Sequence, residues 1–251
     1  MINVLLSGCN GRMGQVITRL SENIEGVQIC AGYDINGTRK NDYPVFTNLS
    51  SCKMKVDVII DFSNPEALDN ILDFAVSGKI PLVMATTGLS TAQQMKLQNA
   101  STQIPLFMSA NMSLGVNLLI DLVKKAAKVL EENFDIEIVE KHHNQKIDAP
   151  SGTALAIADE INSALENKYE YTYDRHSRRK KRTKKEIGIH AVRGGTIVGE
   201  HTVIFAGNDE IIEVKHTAMS RDILGMGALR AAKFIHGKQP GIYRMKELIS
   251  G

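Results

Sequence analysis

Residues 2–14 read Ile2-Asn3-Val4-Leu5-Leu6-Ser7-Gly8-Cys9-Asn10-Gly11-Arg12-Met13-Gly14. The apolar run at 2–7 has the composition of a buried strand. Beyond the glycines, Met13, Val16, Ile17 and Leu20 recur at helical spacing and share one face. A second strand is predicted over 27–33, ending at Asp34. Strand, glycine turn, helix, strand and acid in this order make a nucleotide-binding βαβ unit. The spacing is G-x-x-G-x-x-G, a variant of the dinucleotide fingerprint. Gly8 serves the tight turn, Gly11 the approach of backbone to a pyrophosphate, and Gly14 close packing of helix on strand. Asp34 lies twenty residues past Gly14, where a carboxylate accepts from a ribose 2′-hydroxyl.

The alternation continues along the chain. Strands are predicted at 56–62, 82–85 and 106–108. Helices fall between them, one opened by Asn64-Pro65 and ended by Gly78, the next capped by Ser90 or Thr91 and running to about 101. Strands separated by helices of this length give a doubly wound, mainly parallel Rossmann-type α/β sheet. Ligands in such sheets lie at the C-terminal ends of the strands. Asp61-Phe62-Ser63, Thr86-Thr87-Gly88 and Ser109-Ala110-Asn111-Met112 fall there. They are candidate cofactor neighbours; each taken singly also reads as an ordinary polar turn.

The second half changes character. A long helix is predicted at 114–132 and an alternating strand at 134–139. Then comes Lys141-His142-His143-Asn144-Gln145-Lys146-Ile147-Asp148-Ala149-Pro150-Ser151-Gly152-Thr153. Ser151 is a good N-cap, and Pro150 before it resists helix. The expectation is a helix whose first amides, at Gly152, Thr153 and Ala154, are open to a carboxylate or phosphate. Lys146 adds positive charge, and His142 or His143 exchanges protons near neutral pH. These ingredients suit an acidic small molecule that is protonated during reaction. A structural His pair and a self-satisfied cap are the plain alternatives. No metal is expected, because no nearby Cys or His completes a ligand set.

Three more strands are predicted at 187–192, 197–205 and 211–217. The turns between them, Gly194-Gly195 and Gly207-Asn208, point to antiparallel pairing. A helix at 223–236 is expected to pack back on the first domain. The predicted division is therefore 1–112 with 222–251 as the dinucleotide-binding domain. Residues 113–221 form a smaller α+β domain with an open mixed or antiparallel sheet. Open sheets are commonly covered by self-association, so a homo-oligomer is expected.

Composition narrows the classes. The chain has 251 residues and a net charge of +2, which argues against a dedicated nucleic-acid binder. One exception is the basic run from Arg175 to Lys185. It lacks the interleaved aromatics that stack on bases, and is read as a solvated loop. No apolar run is long enough to span a membrane. The strand pattern at Ile2 without a basic leader, and three cysteines crowded into the first 52 residues, predict a cytoplasmic protein with reduced thiols. Cys9 lies in the glycine loop, where oxidation would inhibit unless the thiol is buried and inert.

With both motifs in view, the chain resembles the dihydrodipicolinate reductase (4-hydroxy-tetrahydrodipicolinate reductase) family over almost its whole length. The shared segments are Gly8 to Gly14, Asp61-Phe62-Ser63, Thr86-Thr87-Gly88, Asn111 to Asn117, His142 to Thr153 and Arg193 to His201. The resemblance implies hydride transfer from a nicotinamide cofactor to a cyclic, unsaturated dicarboxylate in lysine and diaminopimelate biosynthesis. It implies that His142 serves in acid/base chemistry and that Lys146 donates a proton. His143, Ser151, Gly152 and Thr153 bind substrate. Gly8, Cys9, Asn10, Gly11, Arg12, Met13, Asp34, Ala85, Thr86, Thr87, Ser109, Ala110, Asn111 and Met112 contact the cofactor. A homotetramer built through the second domain's sheet is also implied. Two positions depart from the family pattern: Ala85 stands where Gly is frequent, and Met112 where Phe is common.

Asp34 favours NADH, because a carboxylate repels a 2′-phosphate, and Ile35 follows it where an arginine would clamp that phosphate. Arg12, Arg39 and Lys40 are the cations near enough in sequence to offset this. NADH is predicted to be preferred, with NADPH tolerated. Two other readings compete. One is a nicotinamide oxidoreductase acting on another amino or imino acid, which should lack the dense His-His/Lys/Ser-Gly-Thr cluster. The other is a non-enzymatic dinucleotide sensor gripping nucleic acid through the basic run.

Overall fold

The computed structural model describes residues 1–38 and 41–250; Arg39 and Lys40, named above for a 2′-phosphate, lie outside them. The chain divides into two compact units, Met1–Leu114 with Arg221–Gly251, and Gly115–Ser220.

The first unit opens with β1 (Ile2–Ser7), α1 (Arg12–Ser21), β2 (Val27–Tyr33), β3 (Val45–Phe46), β4 (Val58–Asp61), α2 (Leu68–Gly78), β5 (Leu82–Met84), α3 (Thr91–Ala100) and β6 (Pro105–Met108). α3 is closed at its start by a full capping box between Ser90 and Gln93, which satisfies two end groups reciprocally. The second unit contributes α4 (Leu114–Leu130), β7 (Asp135–His142), α5 (Gly152–Ala164), β8 (Glu170–Thr172), β9 (Glu186–Arg193), β10 (Gly199–Ala206) and β11 (Ile211–Ala218). The chain then returns to the first unit with α6 (Asp222–Ile235), β12 (Gly241–Tyr243) and α7 (Met245–Ser250). Among the described residues no helix is long and apolar enough to cross a membrane.

In the first unit the described strands form one parallel sheet in the order β12-β6-β5-β4-β1-β2-β3. The order reverses at β1, between β2 and β4, and that switch point is where a ligand crevice forms. Both faces are covered, as a parallel sheet requires. On one face Ile17 of α1, Ala228, Leu229, Ala232 and Ile235 of α6 and Met245 of α7 pack on Val4, Leu6, Val58 and Ile60. On the other, Leu68, Ile71 and Ala75 of α2 and Leu97 of α3 pack on Leu5, Ile59 and Leu82. Alternate residues of β1 and β4 thus point to opposite cores, and none is exposed there, which is why these strands read as unbroken apolar runs.

The second unit holds a mixed sheet in the order β11-β10-β7-β9-β8. α4 and α5 cover one face, with Leu119, Val123, Ile157 and Ile161 against Ile136, Ile138, Ile189 and Val203. β10 pairs antiparallel with β11 across the Gly207 turn, as expected. The expected hairpin between β9 and β10 does not form. β9 runs parallel to β7 and β8, and β7 lies between β9 and β10. The cause lies at the Gly194-Gly195 turn. Gly194 N–H donates to the His142 carbonyl at 2.9 Å, and Asn144 N–H donates to the Gly195 carbonyl at 3.2 Å. The turn is stitched to the end of β7, so the two strands leaving it flank β7.

Candidate functional site

The first group of site residues is built on the ends of β1, β2, β4, β5 and β6. Gly8 has φ +76°, and a Cβ there would lie 2.4 Å from the Phe62 carbonyl oxygen. Only glycine fits both the left-handed backbone and that approach. A Cβ on Gly14 would lie 2.2 Å from the Gly8 carbonyl oxygen, so α1 presses directly on the loop that precedes it. Gly11 is the exposed N-cap residue of α1, and no side chain caps that helix start. Unpaired amides at a helix N-terminus attract anions.

Asp34 closes the loop from the next strand. Its carboxylate accepts from the Asn10 N–H at 2.9 Å and from the Asn36 N–H at 2.9 Å. The Asn10 side-chain amide donates to the carbonyls of Asn36 and Thr38, at 2.7 and 2.9 Å. The glycine loop and the loop after β2 are therefore clasped together. Beside them lies a cavity of about 350 Å³, lined by Gly8, Asn10, Gly11, Tyr33, Asp34 and Phe62 among others. It has the size of a small-molecule pocket, a backbone bare of side chains on one wall and a carboxylate on another. That lining fits the adenosine half of a dinucleotide.

Cys9 faces inward. It is fully buried, and burial, aided by the charge of Asp34, pushes its thiol up to about 11. Such a thiol is inert, and only its backbone is on offer to a ligand. Arg12 is exposed and Met13 half-buried at the start of α1. Thr86 Oγ donates to Asp61 at 2.6 Å, and Ala85 N–H donates to the Asp61 carbonyl at 3.0 Å. Asp61 also accepts from Ser63 Oγ at 2.5 Å. Burial raises its pKa, against the pull of those hydroxyl partners. Asp61 therefore ties the ends of β4 and β5 together, a role invisible until β4 is set beside β5. Thr87 and Ala110 are exposed, Ser109 Oγ donates to the Asn111 carbonyl at 2.7 Å, and Met112 is buried in the core.

The second group lies in the other unit, at the end of β7 and the start of α5. Ser151 Oγ accepts from the Ala154 N–H at 3.1 Å, so the cap forms as expected. It also removes Ala154 from the amides open to a ligand; the pKa of Asp148 is lowered chiefly by Lys146, with the Gly152 N–H a minor contributor. Thr153 is half-buried. Lys146 Nζ pairs with Asp148 at 2.8 Å. His143 is half-buried and His142 buried. His142 Nδ1 lies 2.6 Å from Glu140 Oε2, its ring stands edge-on to His201 at 5.3 Å between centroids, and Ser151 Oγ lies 3.1 Å from His201 Nε2. The unit thus gathers His142, His143, Lys146, Ser151, Gly152 and Thr153 around one strand end. Sequence reasoning passed over Glu140 as a site residue. Its signal was in the alternation, since Glu140 and His142 continue the inward register of Ile136 and Ile138.

The basic run is exposed at Arg178 to Lys181 and at Lys184 and Lys185, but two of its arginines turn back. Arg175 pairs with Glu186 and with Glu137, and Arg182 with Asp135. The run is solvated in part and pinned at both ends by acids of β7 and β9.

Known proteins place both units. Residues 2–112 match the family model described as dihydrodipicolinate reductase, N-terminus, and residues 115–249 the one described as its C-terminus. The 4-hydroxy-tetrahydrodipicolinate reductase of Caldanaerobacter subterraneus subsp. tengcongensis is 55% identical over 249 residues, 99% of this chain and 98% of the relative. That of Clostridium tetani is 49% identical over 245 residues, 98% and 96% of the two chains. Among solved structures, the dipicolinate-bound dihydrodipicolinate reductase from Paenisporosarcina sp. TG-14 shares the fold with a TM-score of 0.81 at 24% identity, over 97% of each chain. Matched along both units and from one end to the other, the chain belongs to the dihydrodipicolinate reductase family.

Proposed function

We propose that the chain catalyses the NAD(P)H-dependent reduction of 4-hydroxy-tetrahydrodipicolinate to tetrahydrodipicolinate and water, in lysine and diaminopimelate biosynthesis. The observation that carries this reading is the pairing, in one chain of this family, of a glycine-loop cavity closed by Asp34 with a cationic, proton-bearing strand end at His142 and Lys146. The nicotinamide supplies a hydride when bound. The chain supplies the rest. Asp34 holds a ribose, and the backbone of Gly8 to Met13 approaches the pyrophosphate. Ala85 to Thr87 and Ser109 to Met112 border the cofactor. Hydride arrival at one carbon of a conjugated imine builds negative charge elsewhere in the ring, which must be protonated. Lys146 attracts a ring carboxylate, stabilises that charge and donates the proton; His142 acts as acid and base beside it. His143, Ser151, Gly152 and Thr153 bind the dicarboxylate, with the start of α5 as donor.

NADH is the preferred cofactor and NADPH is tolerated, because Asp34 lines the cavity and Ile35, which follows it there, offers no cation to a 2′-phosphate. The assembly is a homotetramer formed through the second unit's sheet. In support, β11 is an edge strand with Ile211 exposed at its start, an edge that soluble chains cover. The reaction takes place in the cytoplasm, where free cysteines such as Cys9, Cys30 and Cys52 persist. The test is NADH absorbance with freshly made substrate from the preceding condensation, beside other keto and imino acids. Turnover confined to the first supports the reading; turnover with the others alone overturns it. Light scattering at a tetramer's mass tests the assembly.

A further inference from the structure

β7 carries its inward residues in strict alternation: Ile136, Ile138, Glu140 and His142 are all buried. The first two meet the helices. The third is a carboxylate with no exposed surface, and a buried charge persists only if it is paired and fully hydrogen-bonded. Glu140 meets that condition. Oε1 accepts from Arg193 Nη2 at 2.7 Å and from the Ser151 N–H at 3.0 Å. Oε2 accepts from Arg193 Nη1 at 2.8 Å and faces His142 Nδ1 at 2.6 Å. Burial pushes the carboxyl up, but Arg193, His142 and the Ser151 amide outweigh it and leave the pKa lowered.

An ionised carboxylate only accepts hydrogen bonds, so Nδ1 of His142 must be the donor. Its other nitrogen, Nε2, is then the atom that gives or takes a proton. Gly199 lies against that nitrogen, and a Cβ at 199 would come within 3.1 Å of Nε2, so a side chain there would crowd the working atom. The charged and titratable groups around the ring are Glu140 on its own strand, Arg193 on β9, His201 on β10 and Lys146 in the loop before α5. Arg193 is committed to Glu140 and Lys146 to Asp148. His201 is held neutral near pH 7, its pKa depressed to about 4 by burial and by His142.

We propose that Glu140 is the positioning residue of the reaction: braced by Arg193 and the Ser151 amide, it fixes the His142 ring with Nδ1–H toward itself and Nε2 as the working atom. This rests on the acid/base reading of His142. Where a carboxylate sets the tautomer of a catalytic imidazole, as in a Ser-His-Asp triad, its replacement by the amide lowers turnover by up to about ten-thousandfold.

The experiment compares wild type, Glu140→Gln and His142→Gln by kinetics across pH, with NADH affinity followed by fluorescence. Glu140→Gln is expected to lower kcat by about tenfold or more, with NADH affinity unchanged. It is also expected to move the kcat/KM pH profile to lower pH, because a negative charge beside the working ring is lost. An unmoved profile with unchanged kcat, while His142→Gln is inactive, overturns the role of Glu140 alone. Near-normal turnover in His142→Gln removes the reading of His142 on which it rests. If Glu140→Gln does not fold, nitrogen NMR of histidine-labelled wild type at pH 8 decides the matter. A His142 ring protonated at Nδ1 supports the proposal, and one protonated at Nε2 overturns it.

Discussion

The backbone N–H of Asn10 donates to the carboxylate of Asp34 across 2.9 Å, joining the glycine loop to the end of the neighbouring strand. Asp34 therefore shapes the cavity as well as lining it. Asp34→Asn keeps the size of the side chain and removes its charge. We expect the KM for NADH to rise about tenfold, the scale of a lost charge-assisted hydrogen bond at about 1.4 kcal/mol. The KM for NADPH should change less, because the repulsion of a 2′-phosphate is lost too. Steady-state kinetics with both cofactors checks this; a parallel rise for the two would remove Asp34 from cofactor choice.

Lys146 is held by Asp148 at 2.8 Å and is not part of any core. Lys146→Ala should leave folding and NADH binding intact while lowering turnover about a hundredfold or more, the scale of lost general acid catalysis. Fluorescence titration of NADH and absorbance assays separate the two effects. Near-normal turnover would take Lys146 out of the mechanism.

Two glycines of one loop should respond differently to the same change. A Cβ at Gly14 meets the backbone of Gly8 and Cys9 at 2.2 and 2.6 Å, whereas at Gly11 the nearest atom is the Gly8 carbonyl at 3.2 Å. Gly14→Ala should lower the melting temperature by roughly 4–10 °C, the effect of overpacking on a chain of this size. Gly11→Ala should melt close to wild type. Calorimetry on both variants distinguishes them, and equal melting temperatures would show that α1 shifts freely on its loop.

His201 makes the second unit sensitive to mild acid. The unfolded chain binds a proton there as pH falls through 6.5, while the folded chain resists until about pH 4. Stability is therefore full above pH 6.5 and is lost between 6.5 and 4. Glu200 adds a later loss. Lys141 and Lys215 hold its pKa at about 2 against a usual 4.5, so its contribution fades as pH falls from 4.5 through 2. Melting temperatures should decline through both windows. His201→Gln should flatten the first and leave the second; an unchanged slope above pH 4 would assign the mild-acid loss to other groups.

The parts of this molecule legible in sequence are those carried by local repetition. β1, its glycine loop and α1 declare themselves within twenty residues, because strand and helix periods change sharply across Gly8 to Gly14. Ser151 likewise announces its helix. β3, with two residues, and β12, with three, carry too few positions for any period to register, and exist because β2 and β6 offer open edges. The parallel pairing of β9 with β7 was hidden for another reason. Gly194-Gly195 looks like a hairpin turn locally, and its bonds to His142 and Asn144 are made across fifty residues. The site divides in the same way. His142, Lys146 and Ser151 sit in one dense segment. Asp61 and Arg193 gain their partners, Thr86 and Glu140, only when separate strands are laid side by side.

The interleaved order of the two units has a consequence for synthesis on the ribosome. α6 supplies Ala228, Leu229, Ala232 and Ile235 to the core beneath β1 and β4, yet it is translated after the whole of the second unit. Residues 115–220 can complete their own core while the nascent first unit still lacks one of its covering layers. That exposed apolar face must wait, and a chaperone that shelters emerging chains would find its binding surface there, until the last turns of α6 arrive to bury it.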